Sequence, residues 1–182
     1  MLDSKFMKVK VVNLKDGSKA IIRPLTKNDK DLLIEFFENI GFETVKYFHP
    51  FSFTKEKAEE IIANIEKTER FYIIGINEKN KILGIAYLDP FKPGSIARLG
   101  IGIREDYRGL GLGTFLMSFL IDSAKSRGVN KIVLEVYADN CRAIALYCKF
   151  GFEVYEIKKK ARYLDWDKRR HTIYLMELEL GH

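Results

Sequence analysis

Ile101-Gly102-Ile103-Arg104-Glu105-Asp106-Tyr107-Arg108-Gly109-Leu110-Gly111-Leu112-Gly113 is the stretch on which the reading of this chain turns. A β-rich run over 96–103 feeds a short polar turn, and a strongly helical segment follows the glycines. Glycine at such a junction lets the backbone turn tightly and approach a ligand closely, because no Cβ stands in the way. The following helix offers unpaired N–H groups and the positive end of its dipole, which suit a phosphate or pyrophosphate. The loop therefore reads as an anion cradle. It is not a nucleotide P-loop, which would end in Gly-Lys-Ser/Thr where this chain has Gly113-Thr114-Phe115. Nor is it a dinucleotide fingerprint: the glycines fall at 109, 111 and 113, and Val133 stands where an acidic ribose partner is needed.

The chain has 182 residues, which predicts a single domain over 1–182 with a substantial core. Hydrophobic residues are 47% and charged residues 31% of the total, the balance of a globular protein and not a disordered one. The apolar run near Phe71 is far too short to span a bilayer, and Met1 to Lys5 show no signal-peptide character, so a cytoplasmic protein is expected. Net charge is +6, with most bases interleaved with acids as on solvated helix surfaces. Two basic clusters, Lys158-Lys159-Lys160 with Arg162 and Lys168-Arg169-Arg170, suit an exposed hairpin better than a nucleic-acid contact. Cys141 and Cys148 lie seven apart on an expected helix, about 10 Å along its axis, too far for a disulfide. Cys141 sits near a helix N-terminus, a place that can depress a thiol pKa, but no histidine is placed as its base. His49, His171 and His182 show no metal-ligand spacing with the cysteines, so no metal is expected. Whether the chain forms a homodimer stays open.

Element by element, a strand is expected over 19–23, closed by Pro24. A helix follows, capped by Thr26 with Asp29 in its first turn and stopped at Gly41. Residues 42–53 are dense in aromatics. A second helix starts at Thr54, and strands over 71–76 and 82–88 are joined by a turn at 77–80. After the strand at 96–103 and the glycine loop comes a helix stopped by Gly128. The run Ile132 to Val136 then reads as a strand buried on both faces. A last helix over about 141–150 precedes an antiparallel pair at 153–160 and 172–180. The order β-α-α-β-β-β-α-β-α-β-β implies an α/β fold with a mixed, mainly antiparallel central sheet flanked by helices and one β-α-β crossover.

Two residues carry candidate chemistry. Glu135 is the one carboxylate in the 132–136 run. Buried alone it would have a raised pKa and suit a general base; the other reading is a carboxylate paired with Lys or Arg across the sheet, or one facing solvent near the strand end. Tyr147 comes twelve residues later, at a helical core position. A phenol with an ordinary pKa of about 10 is protonated at neutral pH, so it either packs or donates a proton to a leaving group.

Arg108-x-x-Gly111-x-Gly113 resembles the acyl-CoA pyrophosphate loop of the GNAT family of N-acetyltransferases, and the element order is the one that family shows. The segment from Ile101 to Phe152 further resembles the bacterial members that acetylate the N-terminal amine of a ribosomal protein. That resemblance implies that Arg108, Gly109, Leu110, Gly111, Leu112, Gly113 and Thr114 hold the pyrophosphate of acetyl-CoA. It also implies that the backbone of Ile101, Gly102 and Ile103 holds pantetheine and that Asn140 is associated with the CoA arm. Leu134-Glu135-Val136 matches the element carrying the base and Leu146-Tyr147 the element carrying the acid; Tyr163 matches a tail tyrosine. The implied activity is direct acetyl transfer from acetyl-CoA to a primary amine, with a peptide N-terminus or a small amine as acceptor. A polyamine, amino sugar or protein lysine, or a non-catalytic acyl-CoA-binding module, are the alternatives. Before Leu99 the resemblance rests only on Ile22-Arg23-Pro24-Leu25, so the acceptor does not carry over. The aromatic 42–53 segment is either an acceptor contact or a loop packed into the core.

Overall fold

The structure, a computed structural model, describes residues 9–181. The expectation about Met1 to Lys5 and the histidine at 182 lie outside the described residues. Strands β1 (Lys10–Asn13), β2 (Lys19–Pro24), β3 (Phe71–Asn77), β4 (Ile82–Asp89), β5 (Ile96–Ile103), β6 (Lys131–Tyr137), β7 (Glu153–Leu164) and β8 (Arg169–Glu179) form one sheet. Their spatial order is β1-β2-β3-β4-β5-β6-β8-β7. Every neighbouring pair is antiparallel except β5 and β6, which run parallel.

The helices are α1 (Lys30–Asn39), α2 (Phe42–Val45), α3 (Lys55–Asn64), α4 (Leu112–Arg127) and α5 (Cys141–Lys149). They cover the sheet on both sides. On one side Leu112, Leu116, Met117, Leu120 and Ala124 of α4 pack with Tyr147 and Phe152 against Ile73, Leu83, Ala86, Leu88, Ile132, Leu134 and Val136. On the other, Leu33, Phe36 and Phe37 of α1 and Ala58, Ile61 and Ile62 of α3 pack against Tyr72, Ile74, Ile85 and Tyr87. Alternate residues of one strand thus feed opposite cores, which is why the central strands read as unbroken apolar runs.

Local signals place the ends. Thr26 and Asp29 are joined where expected: the Thr26 N–H and hydroxyl both donate to Asp29 Oδ2, at 2.8 and 2.9 Å, and Arg23 grips the same carboxylate. Thr54 Oγ1 accepts from Lys57 N at 3.2 Å and starts α3. Gly128, in the left-handed region at φ +80°, ends α4. Two elements differ from expectation. Strand β1 has only Val12 buried, so its pattern carries almost no period. The closing hairpin is longer than 153–160 and 172–180, because irregularities between Val154 and Glu156 and between Lys158 and Arg162 let β7 stay paired up to Leu164.

The feature that positions a site is the short β5–β6 ladder. It pairs Ile96 with Lys131, Ala97 with Ile132 and Arg98 with Val133, and then stops. Beyond Arg98 the two strands part, leaving residues 99–103 of β5 without a strand on that side.

Candidate active site

A cavity of about 850 Å³ fills this gap, lined by β5, the glycine loop, β6, the start of α5 and the 43–50 segment. Gly109 and Gly111 adopt φ of +77° and +88°, the left-handed values that only glycine reaches without strain. Among the described residues, no acceptor bonds to the amides of Gly109, Leu110, Gly111, Leu112 or Gly113, whereas the Thr114 amide is already bonded to the Gly111 carbonyl at 3.1 Å. The first turn of α4 contains no acid to compete with an anion. Gly113 is close-set: a Cβ there would meet Ile103 Cδ1 at 3.1 Å and Leu146 Cδ2 at 3.2 Å. Residues 109–113 thus present a run of unpartnered amides at the start of α4.

Bases surround it. Arg108 Nη2 donates to Thr44 Oγ1 at 2.7 Å, and burial, followed by the nearby Arg142, pushes the guanidinium below its ordinary pKa. Its acidic neighbour Glu43 is held by Lys46 at 2.7 Å. Lys15, in the β1–β2 turn, lies over Gly111: its N–H donates to the Leu110 carbonyl at 3.0 Å, and its side-chain carbons come within 3.8 Å of where a Gly111 Cβ would stand. Nothing local in the sequence marks Lys15 for this place; the pairing of β1 with β2 puts it there.

On β5, Arg104 N donates to the Leu83 carbonyl at 2.8 Å, and the ladder with β4 pairs Ile101 with Ala86, Gly102 with Ile85 and Ile103 with Gly84. Antiparallel alternation then turns the N–H and C=O of Ile101 and Ile103 away from β4, toward the gap. Thr44 Oγ1 already donates to the Ile103 carbonyl at 2.6 Å. Gly102 faces β4 with its backbone, and its contribution is room: a Cβ there would collide with the Phe48 ring, as one at Gly100 would with Tyr87. Asn140 caps α5, with Oδ1 accepting from Ala143 N at 3.3 Å, and also lines the cleft.

Tyr147 enters from α5 and is 7% exposed, its ring packed 5.8 Å from Phe152. Its hydroxyl has no hydrogen-bond partner among the described residues, although the side chain lines the cleft. Burial, and secondarily the nearby Tyr87 phenol, push its pKa well above the ordinary tyrosine value. It is a protonated phenol at any physiological pH.

Glu135 departs from the expectation of a lone carboxylate in a strand buried on both faces. Burial along β6 alternates, and Glu135 is on the face that α1 and α3 do not cover here, the face on which Ile96 and Arg98 of the still-paired β5 are also exposed. Its Oε1 accepts from Arg98 Nη1 at 3.2 Å and its Oε2 from Arg162 Nη2 at 2.9 Å, with the side chain 30% exposed. The cross-sheet ion pair is the reading that the structure supports. Arg162, expected in a solvated basic cluster, instead turns into the cleft, while Lys158, Lys159 and Lys160 stay exposed.

The 42–53 segment divides. Phe51 and Phe53 pack on Phe37 in the core. Thr44, Tyr47, Phe48 and His49 line the cleft. His49 Nδ1 lies 3.1 Å from the Val45 carbonyl, which can only accept, so Nε2 is left to accept from the Tyr137 hydroxyl at 2.9 Å. Tyr163 is 47% exposed on β7, outside the cleft lining. Both cysteines are free and exposed, and no group able to hold a metal occurs among the described residues.

The cleft thus combines a glycine loop with unpartnered amides at one end, a free strand edge along it and an unpaired phenol within it. Residues 32–152 match the family model described as "Acetyltransferase (GNAT) family", and the chain belongs to that family. Over 59 residues it is 44% identical to [Ribosomal protein bS18]-alanine N-acetyltransferase of Escherichia coli K12, a match covering 32% of this chain and 40% of that relative's length. Among solved structures it is similar to ribosomal-protein-S5-alanine acetyltransferase from Vibrio fischeri, with TM-score 0.76, 16% identity and coverage of 89% of this chain and 93% of that one. It is also similar to spermidine N-acetyltransferase from Vibrio cholerae in complex with CoA and spermine, with TM-score 0.73, 19% identity and coverage of 88% and 95%. At these identities the two structures speak for the fold. No helix among the described residues is long and apolar enough to cross a membrane.

Proposed function

We propose that this protein is an acetyl-CoA-dependent N-acetyltransferase acting by direct transfer on a primary amine, of which a protein N-terminal α-amine is the first candidate. The observation that carries the reading is the opened β5–β6 seam, with unpartnered loop amides at one end and the unpartnered Tyr147 hydroxyl facing into it. Family membership supports it. The N-terminal reading draws on the partial match to the bS18-alanine enzyme.

The residues present fit the co-substrate. The amides of 109–113 would receive the pyrophosphate, with Arg108, Arg142 and Lys15 around it, and the outward backbone of Ile101 and Ile103 would pair with the amides of the pantetheine arm. When bound, acetyl-CoA supplies an acetyl group activated as a thioester. Tyr147 then holds the proton that the sulfur needs: as the new C–N bond forms and the C–S bond breaks, its Oη–H passes to the departing thiolate. Glu135 lies across the seam and receives the ammonium proton through water, since both of its oxygens are already engaged by arginines. The acylated nitrogen's second proton restores the phenol. An α-amine with a pKa near 8 suits a base of this weak, relayed kind better than a lysine near 10.4.

The decisive experiment measures free-thiol release from acetyl-CoA across α-amines, polyamines, amino sugars and short peptides, alongside calorimetric CoA binding. Thiol release that depends on an added amine is expected. CoA binding without turnover of any amine would leave an acyl-CoA-binding module in its place.

A further inference from the structure

We infer that the acceptor carries a carboxylate close to its amine, held by Arg98 and Arg162. This rests on the acetyltransferase reading of the same cleft and names the class of amine that the cleft takes.

The inference comes from comparing the charges at the acceptor end. Two of the three carboxylates lining the cleft are engaged by cations. Glu43 is paired with Lys46 at 2.7 Å, and Glu135 gives one oxygen to each of two arginines, while Asp139, half exposed, lies 3.4 Å from His171 Nδ1. On the Arg98–Arg162 wall no carboxylate is left over to receive a second ammonium group. The guanidiniums are in the opposite state. Arg98 uses a single N–H, from Nη1, on Glu135, and Arg162 bonds Glu135 through Nη2 and lies against the Tyr137 hydroxyl. A guanidinium has five N–H donors, so both have donors to offer, and their side chains are 60% and 45% exposed toward the cleft mouth.

Around Glu135, two cations set against one anion leave an excess of positive charge on that wall of the cleft. Arg70, on the same wall, adds none, because Asp89 at 2.5 Å neutralises it. A polyamine entering here would place a second cation beside this excess, whereas a carboxylate would find charge-assisted donors in forked geometry. The carboxylate must also be near the amine. Arg98 is opposite Val133 in register, two residues before Glu135, at the point where the strands part, so the arginines flank the mouth of the same seam that Tyr147 faces. Two sources supply this chemistry: a free amino acid, or a peptide N-terminus with an acidic side chain in its first two residues.

The test compares kcat/KM by thiol release for matched pairs: an α-amino acid with its carboxamide, and alanyl-glutamate amide with alanyl-glutamine amide. The amino-acid carboxamide's amine is less basic, so a site indifferent to charge would favour that carboxamide at neutral pH. The expected result is a preference of about tenfold or more for the carboxylate member of at least one pair. A preference in the first pair alone assigns the free amino acid, and one in the second the acidic N-terminus. Both arginines also hold Glu135, so Arg98→Gln and Arg162→Gln are read as the ratio of kcat/KM between the two members of a pair: that ratio should fall toward one through a larger rise in KM for the carboxylate member, and Arg162→Lys should restore part. Equal rates in the wild type, a preference for the neutral members, or variants that keep the wild-type ratio would overturn the inference. A separate readout isolates it from the transfer reading: calorimetric binding of an N-acetylamino acid against its N-acetyl carboxamide to the CoA-loaded protein. Carboxylate-selective binding lost in Arg98→Gln supports the inference even without turnover, and unselective binding overturns it even if some amine is acetylated.

Discussion

Replacing Tyr147 by Phe should separate activity from stability, and that separation is what the structure predicts most sharply. The hydroxyl has no hydrogen-bond partner among the described residues and borders the open cleft, where it is not a buried unsatisfied atom. Its removal leaves the ring packing against Phe152 intact and strands no partner. Stability should stay close to wild type, with Tm within about 2–4 °C, the shift that 1 kcal/mol makes in a chain of this size. The kcat should fall by about 10²- to 10⁴-fold, the usual range for a lost general acid, while CoA affinity is unchanged. Because burial and then Tyr87 raise the Tyr147 pKa above the ordinary value of about 10, the wild-type kcat should show no loss from ionisation of this phenol up to about pH 10. The assay is thiol release at saturating acetyl-CoA and amine, with calorimetry for CoA and thermal unfolding for stability. A kcat within about twofold of wild type under conditions where chemistry limits, or a Tm that falls together with kcat, would refute the acid role and leave Tyr147 as a packing residue.

Gly111→Val should weaken CoA binding by at least about tenfold in a folded protein, because a β-branched residue resists φ of +88° and will re-aim the loop amides; calorimetry giving unchanged affinity would remove the loop from the CoA site. Lys15→Ala should weaken CoA severalfold and leave pantetheine binding untouched, since the ammonium lies over the phosphate cradle and not the arm; an equal loss for both ligands would show that Lys15 only supports the loop backbone. Glu135→Gln should lower kcat/KM most at pH values below the acceptor amine's own pKa and recover as the amine becomes neutral, a profile read by thiol release across pH. A uniform loss at every pH would instead assign Glu135 to holding Arg98 and Arg162.

The conformation of the glycine loop was legible in the sequence because it is a local matter. Gly109 and Gly111 take backbone angles that almost only glycine takes, and the helix that follows is announced by its own periodicity, so the linear order contains the geometry. Thr26, Thr54 and Gly128 were legible for the same reason. The state of Glu135 was not. A carboxylate within Ile132 to Val136 is consistent with burial on both faces and with an open face, and the choice depends on how far the helices on that face extend. That is settled by α1 and α3, which pack on β3 and β4 while no β6 residue joins their cluster. Tertiary placement also explains what else was missed. Arg98 is the last residue of β5 paired with β6 and becomes a wall of the cleft, while Arg162 sits where the β7 irregularity turns an otherwise solvated strand inward. Lys15 arrives from the β1–β2 turn and Thr44 from α2, each seated by tertiary contacts with the glycine loop or its arginine.

These latecomers share one consequence. Thr44 ties the 42–53 segment to both Ile103 and Arg108, at 2.6 and 2.7 Å, so that wall of the cleft is hydrogen-bonded to the β5 edge and to the arginine of the glycine loop. The glycine loop, the open strand edge and the Tyr147 phenol all lie within 101–152. What distinguishes this chain within its family should be sought in the residues that the fold brings to that frame from outside it: His49 fixing Tyr137, Phe48 seated on Gly102, and Arg162 reaching back to Glu135. Under the proposed function they form the acceptor side of the cleft, and their charge and shape, more than the glycine loop, would decide which amine enters.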